Sequence, residues 1–222
     1  VRSSSLDPGC GDNLVDLASL RAQVARLERS SFGAVDMQAV LETGVRAIDE
    51  TLPDGGLLIG AVHEISGAAA DAFLLHLLAR VTGPVLWCRG RSGRTGELYG
   101  PGLDLCGIRT GELLFARGRD DHDCLWAMEE ALRSGLLAAV VGEPGKRVDL
   151  TASRRLQLAA ERGRTLGIIL AGETGGEGLS PSALQSRWQA APCPLETGEQ
   201  AAWTLHLRRC RGGGQGYWRM AV

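Results

Sequence analysis

Residues 62–81 read VHEISGAAADAFLLHLLARV: an apolar strand, a glycine, a loop of small residues and a long apolar helix. That succession is how many chains hold the phosphates of a nucleotide. In the pattern G-x-x-x-x-G-K-[ST], backbone N–H groups and a helix N-terminus cradle the phosphates. The lysine neutralises their charge and the hydroxyl holds a magnesium ion. Counted from Gly67, the second glycine position is Ala72, the lysine position is Phe73 and the hydroxyl position is Leu74. Asp71 falls inside the loop, where it repels phosphate. No shift of register helps, because the first lysine of the chain is Lys146. A charge-assisted hydrogen bond contributes roughly 1.5–3 kcal/mol, so losing the lysine alone weakens nucleotide binding on the order of 10- to 100-fold. The expectation is a nucleotide-loop scaffold with no catalytic residue, no cofactor and no enzymatic activity.

Other chemistry is thinner. His63-Glu64-Ile65-Ser66-Gly67 begins like the zinc motif H-E-x-x-H, but Gly67 stands where the second histidine is needed. The stretch also reads as a strand, which lacks the helical spacing that motif relies on. His63, His76, His122 and His206 lie far apart in sequence and pair with nothing recognisable. Ser66, Ser153 and Ser180 lack the G-x-S-x-G elbow of a nucleophilic serine. The six cysteines, Cys10, Cys88, Cys106, Cys124, Cys193 and Cys210, form no C-x-x-C pair. They read as reduced, mostly buried thiols, and no metal is expected.

Two groups of arginines read as binding residues. Arg89, Arg91 and Arg94 follow an apolar strand, at the edge where open α/β sheets bind ligands. They suit a phosphate or nucleic-acid contact, or simply a solvated loop. The chain from residue 200 on carries Trp203, Arg208, Arg209, Arg211, Tyr217, Trp218 and Arg219, and no acid. Aromatics interleaved with arginine suit single-stranded nucleic acid. They also suit a protein interface, or an amphipathic hairpin with its tryptophans in the core.

The elements that must position these residues follow from periodicity. Residues 13–30 space Leu14, Leu17, Leu20, Val24 and Leu27 at steps of three and four, an amphipathic helix with an Arg/Glu outer face. A linker, 31–44, and a Pro/Gly turn, 52–60, lead to a strand at 61–66 and a helix at about 70–81. Uninterrupted apolar runs at 84–88, 136–143 and 165–172 read as buried strands, with a short strand at 112–117. Helices are expected at 120–135, stopped by Gly135, and at 149–163, stopped by Gly163. In the latter, Leu156, Leu158 and Ala159 should face inward, with Arg154 and Arg155 outward. Residues 173–182 are rich in Gly, Ser and Pro. The end of the chain reads as two or three antiparallel strands, with a hairpin turn at Gly212–Gly216.

The alternation of buried strands and helices predicts an α/β fold, a mostly parallel sheet with helices on both faces. A tail and helix at 1–30 would precede a core at 31–222 that ends in a hairpin at about 200–222. A chain of 222 residues with 44% hydrophobic and 23% charged content has enough material for one such core. A net charge of −2 excludes a protein that binds DNA by bulk charge. No run of eighteen apolar residues exists to span a membrane, and the opening VRSSSLDPGCGD has no apolar signal core. A cytoplasmic location is the expectation.

The approach to the loop, GVRAIDETLPDGGLLIGAVHEISG, resembles that of RecA-type recombinases. The segments PVLWC, LYGPGLDLCGI, ALRSGLLAAVVGE and ASRRLQLAAERG, with the closing W-x-L-x-L-x-R-x-R-G-G, resemble the ImuA family more specifically, over about residues 14–222. RecA-type ATPases place a glutamate just after the second sheet strand to activate water. Here PVLWC is followed by Arg89, Gly90 and Arg91, and a cation is no general base. The same ATPases end a later strand in an aspartate that helps hold magnesium. Here that strand ends Val140-Val141-Gly142-Glu143, with Glu143 offset by one and so expected on the opposite face from Gly142.

The ImuA resemblance implies a RecA-like accessory factor of damage-induced, error-prone translesion DNA synthesis. Its implied partners are an ImuB-like Y-family protein, the alternative DnaE-type polymerase and, as a further candidate, RecA; it implies no membrane contact. SulA-type division inhibitors, which bind FtsZ, are similar RecA-like proteins and stand as the alternative. A divergent nucleotide-dependent, DNA-binding recombinase is the third reading.

Overall fold

A computed structural model describes residues 39–91, 98–172 and 181–221. The helix expected at 13–30, Arg94, and most of the Gly-rich segment 173–182 lie outside the described residues, so the division of the chain at residue 30 is likewise beyond it.

A small antiparallel pair opens the described chain: β1 (Val40–Leu41) with β2 (Leu57–Leu58), flanking α1 (Arg46–Asp49). The main elements follow: β3 (Val62–Ser66), α2 (Ala70–Leu78), β4 (Val85–Arg89), α3 (Gly100–Leu105), β5 (Leu113–Arg117) and α4 (Asp121–Ser134). Then come β6 (Ala139–Glu143), α5 (Leu150–Gly163), β7 (Leu166–Leu170), β8 (Ser186–Pro192), β9 (Ala202–Cys210) and β10 (Gly216–Ala221). The large sheet runs in the order β10-β9-β8-β3-β7-β6-β4-β5. Its strands from β8 through β5 are parallel, and β9 and β10 turn back antiparallel. The fold is α/β, with a mixed, mostly parallel sheet, flanking helices and antiparallel C-terminal strands. β8 plays both parts, antiparallel to β9 as its sequence suggests and parallel to β3 on its other side.

Every residue of β6 and β7 is buried, which is why both read as unbroken apolar runs. Two apolar clusters flank the sheet. On one side α2 buries Phe73, Leu74, Leu77 and Leu78 against Ile65, Trp87, Val141, Trp188 and Leu205. On the other, α4 and α5 bury Cys124, Met128, Leu132 and Leu156 against Val62, Cys88, Val140 and Ile169. The last two helices start where their caps say: the Asp120 carboxylate accepts from the Asp123 N–H, and Asp149 from the Ala152 N–H.

Three expectations are corrected. In α5, Leu158 points outward, 54% exposed, while Gln157 is buried. The reason is a polar demand: the Val62 N–H donates to Gln157 Oε1 at 3.0 Å, so the helix turns Gln157 onto the sheet. The residue that stops α5 is Arg164, left-handed at φ 50°, and not Gly163. Gly163 is needed for a different reason: a Cβ there would lie 1.9 Å from the Leu132 carbonyl oxygen of α4. Finally, the described thiols are not mostly buried. Cys88 and Cys124 are, Cys193 and Cys210 are half-buried, and Cys106 is exposed.

Candidate functional site at the carboxyl edge of the sheet

The loop after β3 is Gly67-Ala68-Ala69, and it leans on β8. Gly67 has φ 97°, and a Cβ there would meet the Ala190 carbonyl oxygen at 2.2 Å. That same oxygen accepts the Ala69 N–H at 3.2 Å. One backbone donor of the phosphate-cradle position is therefore already taken by a neighbouring strand. The helix that follows turns Phe73 and Leu74 into the core, both fully buried. The Phe73 ring packs on Trp188 with centroids 5.2 Å apart, and Trp188 packs on Trp218 at 6.1 Å. Asp71 is exposed and Ala72 is half-buried.

The segment before the loop is clamped to α2. The Thr43 carbonyl accepts from His76 Nε2 at 2.7 Å and from Arg80 Nε at 2.8 Å. Asp49 returns from α1 to accept from the Thr43 N–H and hydroxyl, both at 2.8 Å, and from the Gly44 N–H. Gly44 has φ 74° and lies under the Arg80 guanidinium, which any Cβ would strike. This is the physical content of the Gly, Ile-Asp spacing in GVRAIDE.

At the far side of the edge, Arg89 and Glu143 end β4 and β6 in register. Arg89 Nε donates to Glu143 Oε2 at 2.7 Å, and Trp87 Nε1 donates to Glu143 Oε1 at 2.9 Å. Glu143 is buried on the α2 side of the sheet. Gly142 faces α4, where a Cβ would meet Met128 Sδ at 2.6 Å. The two do point to opposite faces, as strand alternation requires. Of the expected arginine group, Arg89 is thus engaged by a carboxylate, Arg91 is exposed and Arg94 lies outside the described residues. Beside the pair a groove is lined by Trp87, Leu98, Phe115 and Arg117, and it opens onto β5. Among the described residues β5 pairs with β4 alone, so its outer backbone edge is open. Leu114 and Phe115 on it are 51% and 62% exposed.

His63 is built into the core. Leu58 O can only accept, so His63 Nε2 carries the proton it receives at 3.0 Å. His63 Nδ1 is then the acceptor for the Ser186 hydroxyl at 2.6 Å, and Ser186 Oγ in turn accepts Trp188 Nε1 at 2.8 Å. Burial pushes the histidine down to about 4, against the Leu58 hydrogen bond, which raises it. Ser66 Oγ donates to Trp188 O, and Ser153 Oγ donates to Leu150 O while accepting the Ala183 N–H. These groups are consumed by packing. The cluster Asp120, His122 and Asp123 has metal-ligand chemistry in close reach, but Asp120 caps α4 and Asp123 pairs with Arg119 at 2.8 Å.

The C-terminal residues divide by face. Trp203 and Trp218 belong to the α2-side core. Tyr217, Arg219, Arg208 and Arg209 lie on the other face, and Arg211 is in the exposed turn. Arg219 binds Glu199 at 2.7 Å and holds that carboxyl down at about 2. Sequence reading missed Glu199, Trp188, Ser186 and the buried pair of Glu64 with Arg187, 3.5 Å apart. Only the pairing of β8 with β3 brings Ser186, Arg187 and Trp188 to the site, and nothing in the local pattern announces a parallel partner 123 residues away from His63.

No protein-family model matches the chain. Over 204 residues it is 36% identical to Protein ImuA of Caulobacter vibrioides, covering 81% of this chain and 82% of that protein. The corresponding protein of a second strain of the same species matches equally. Cell division inhibitor SulA of Edwardsiella piscicida is 35% identical over 75 residues, 33% of this chain and 43% of that protein.

Proposed function

The chain belongs to the ImuA family, and from that premise we propose that it is a non-catalytic accessory factor of damage-induced, error-prone translesion DNA synthesis. It acts by protein contacts with an ImuB-like Y-family protein and with the alternative DnaE-type polymerase; RecA is a further candidate. The observation that carries the non-catalytic part is the burial of Phe73 and Leu74. The two positions that would neutralise phosphate and hold magnesium are spent on the core, so the nucleotide loop is a relic. The Arg89–Glu143 pair supports the same reading. A cation and an anion that neutralise each other at 2.7 Å leave neither a general base nor a metal carboxylate. The open edge of β5, with Leu114 and Phe115 exposed beside the Trp87 groove, supplies a surface that a protein partner can cover.

Calorimetry with ATP and magnesium, up to millimolar ligand, tests the first part. No heat of binding is expected; a Kd tighter than about 100 µM, or ATP hydrolysis that persists through purification, overturns it. Co-purification with the two polymerase-side partners and RecA tests the second. Phe115→Asp should weaken at least one of these contacts without lowering the melting temperature. Retention of all three partners by that variant removes β5 from the account. Among the described residues no helix is long and apolar enough to cross a membrane.

The partial likeness to a SulA protein keeps a second reading in view, inhibition of division through FtsZ. Expression of the chain in a rod-shaped bacterium separates the two. Filamentous cells favour the second reading, and a raised mutation frequency after damage with normal division favours the first.

A further inference from the structure

Among the described residues the antiparallel end of the sheet is covered on one side only. Trp188, Trp203, Leu205, Leu207, Trp218 and Met220 face α2. The opposite side of β8, β9 and β10 continues the face that α4 and α5 cover over β4, β6, β7 and β3. There the register sets Gln189, His206 and Tyr217 in one row, and Ala191, Thr204 and Arg219 in the next. Tyr217 is 67% exposed, and its ring meets the His206 ring edge-on with centroids 6.0 Å apart. The pairing of Trp188 with Leu207 and of Arg187 with Arg209 leaves Arg208 as the extra residue of a β-bulge. A bulge places two consecutive side chains on the same side of a strand. Arg208 reaches Gln189 Oε1 at 3.5 Å, and Arg209 donates to the Ser182 carbonyl at 2.9 Å. Both contacts are neutral, so both guanidinium charges persist.

We propose that this open face binds single-stranded nucleic acid, with Tyr217 and His206 as a stacking platform and Arg208 and Arg209 as phosphate contacts. Arg219 lies on the far side of the aromatic pair. Its alignment with Thr204 puts it four strand positions from Arg208, about 14 Å at the rise of a β-strand. Guanidinium groups thus stand at both ends of the aromatic pair. Glu199 and Glu196 both pair with Arg219, so the positive end of the face is the bulge. The composition favours nucleic acid over a protein partner. Apart from Tyr217, the face offers no side chain larger than alanine that is purely apolar, so a desolvated hot spot has little to form around. Stacking needs only one accessible π-face and tolerates any base, and guanidinium groups track the backbone. The overall charge of −2 does not oppose this, because it is the local patch that the strand meets.

Fluorescence anisotropy of a labelled oligothymidylate of about 20 nucleotides, titrated with the full chain, tests the proposal. Expected are micromolar binding that weakens as salt rises and a clear preference over duplex of the same length. Tyr217→Ala should weaken it roughly tenfold or more, while Tyr217→Phe retains it. Arg208→Glu should weaken it and flatten its salt dependence, and Arg46→Glu, on exposed α1, should change nothing. Tyr217 is exposed enough that its variants keep the parent melting temperature, which excludes unfolding as the cause. No anisotropy rise up to about 100 µM, equal binding to duplex, or binding indifferent to Tyr217 overturns the proposal. So does loss of a protein partner in Tyr217→Ala with an unchanged oligonucleotide curve, which makes the face a protein interface. None of these outcomes bears on nucleotide binding at the β3 loop, so the two readings fail separately.

Discussion

Arg89 and Glu143 stand opposite each other at the ends of β4 and β6 and close an ion pair of 2.7 Å, with Glu143 almost wholly buried. Removing one member of such a pair strands the other charge in the protein and costs about 3–5 kcal/mol. Arg89→Ala should therefore lower unfolding free energy in urea by about that amount. The double variant Arg89→Met with Glu143→Leu should be more stable than Arg89→Ala alone, because it strands no charge and leaves only the Trp87 Nε1–H without its acceptor. A double variant no better than the single would mean that the pair contributes little through charge.

Restoring the missing lysine and hydroxyl should not restore nucleotide binding. In Phe73→Lys with Leu74→Thr, both new side chains start from backbone positions that face Trp188 and the core. A buried ammonium and a lost aromatic contact should cost at least about 3 kcal/mol. Thermal melting and ATP calorimetry on the double variant check both halves of the expectation.

His63 should make the fold acid-sensitive. Its folded value lies at about 4 against an ordinary 6.5. Between those limits the unfolded chain takes up a proton that the folded chain refuses, so stability is fully present above about pH 6.5 and declines as pH falls toward 4. The whole loss is about 3 kcal/mol. Urea unfolding across that window, compared with His63→Asn, should show the decline in the parent and a flatter curve in the variant.

Gly163→Ala should destabilise, although alanine is the better helix former. The added methyl would sit 1.9 Å from the Leu132 carbonyl oxygen, which forces α4 and α5 apart. A melting temperature at or above the parent value would show that the helices can separate without loss.

The fold was largely legible because its central strands are buried on both faces. β6 and β7 have no polar face, so their runs of Ala, Val, Ile and Leu mark them without any partner in view. The end of α4 was legible because its stop chemistry is local, at Gly135. Leu158 was misread because periodicity rewards the apolar residue, while the contact that decides is the one Gln157 makes with the Val62 N–H on a strand 95 residues away. The substitutions at Phe73 and Leu74 could be read as missing chemistry. That they are core residues could not, since Trp188 comes from β8, far along the chain. The arginine-rich tail could be counted but not sorted. Only the register of β9 with β8 and β10 separates the tryptophans on one face from Tyr217 and the arginines on the other.

Phe73 against Trp188 also bears on which neighbouring sequences this chain can visit. A single change to lysine at 73 lands in packed hydrocarbon, and relieving it requires Trp188 to move as well. Each step back toward a phosphate-holding loop therefore crosses a less stable intermediate, whereas further apolar exchange at 73 and 74 stays on level ground. Mutation and selection can drift freely within this form of the loop, and the way out of it is closed to any single substitution.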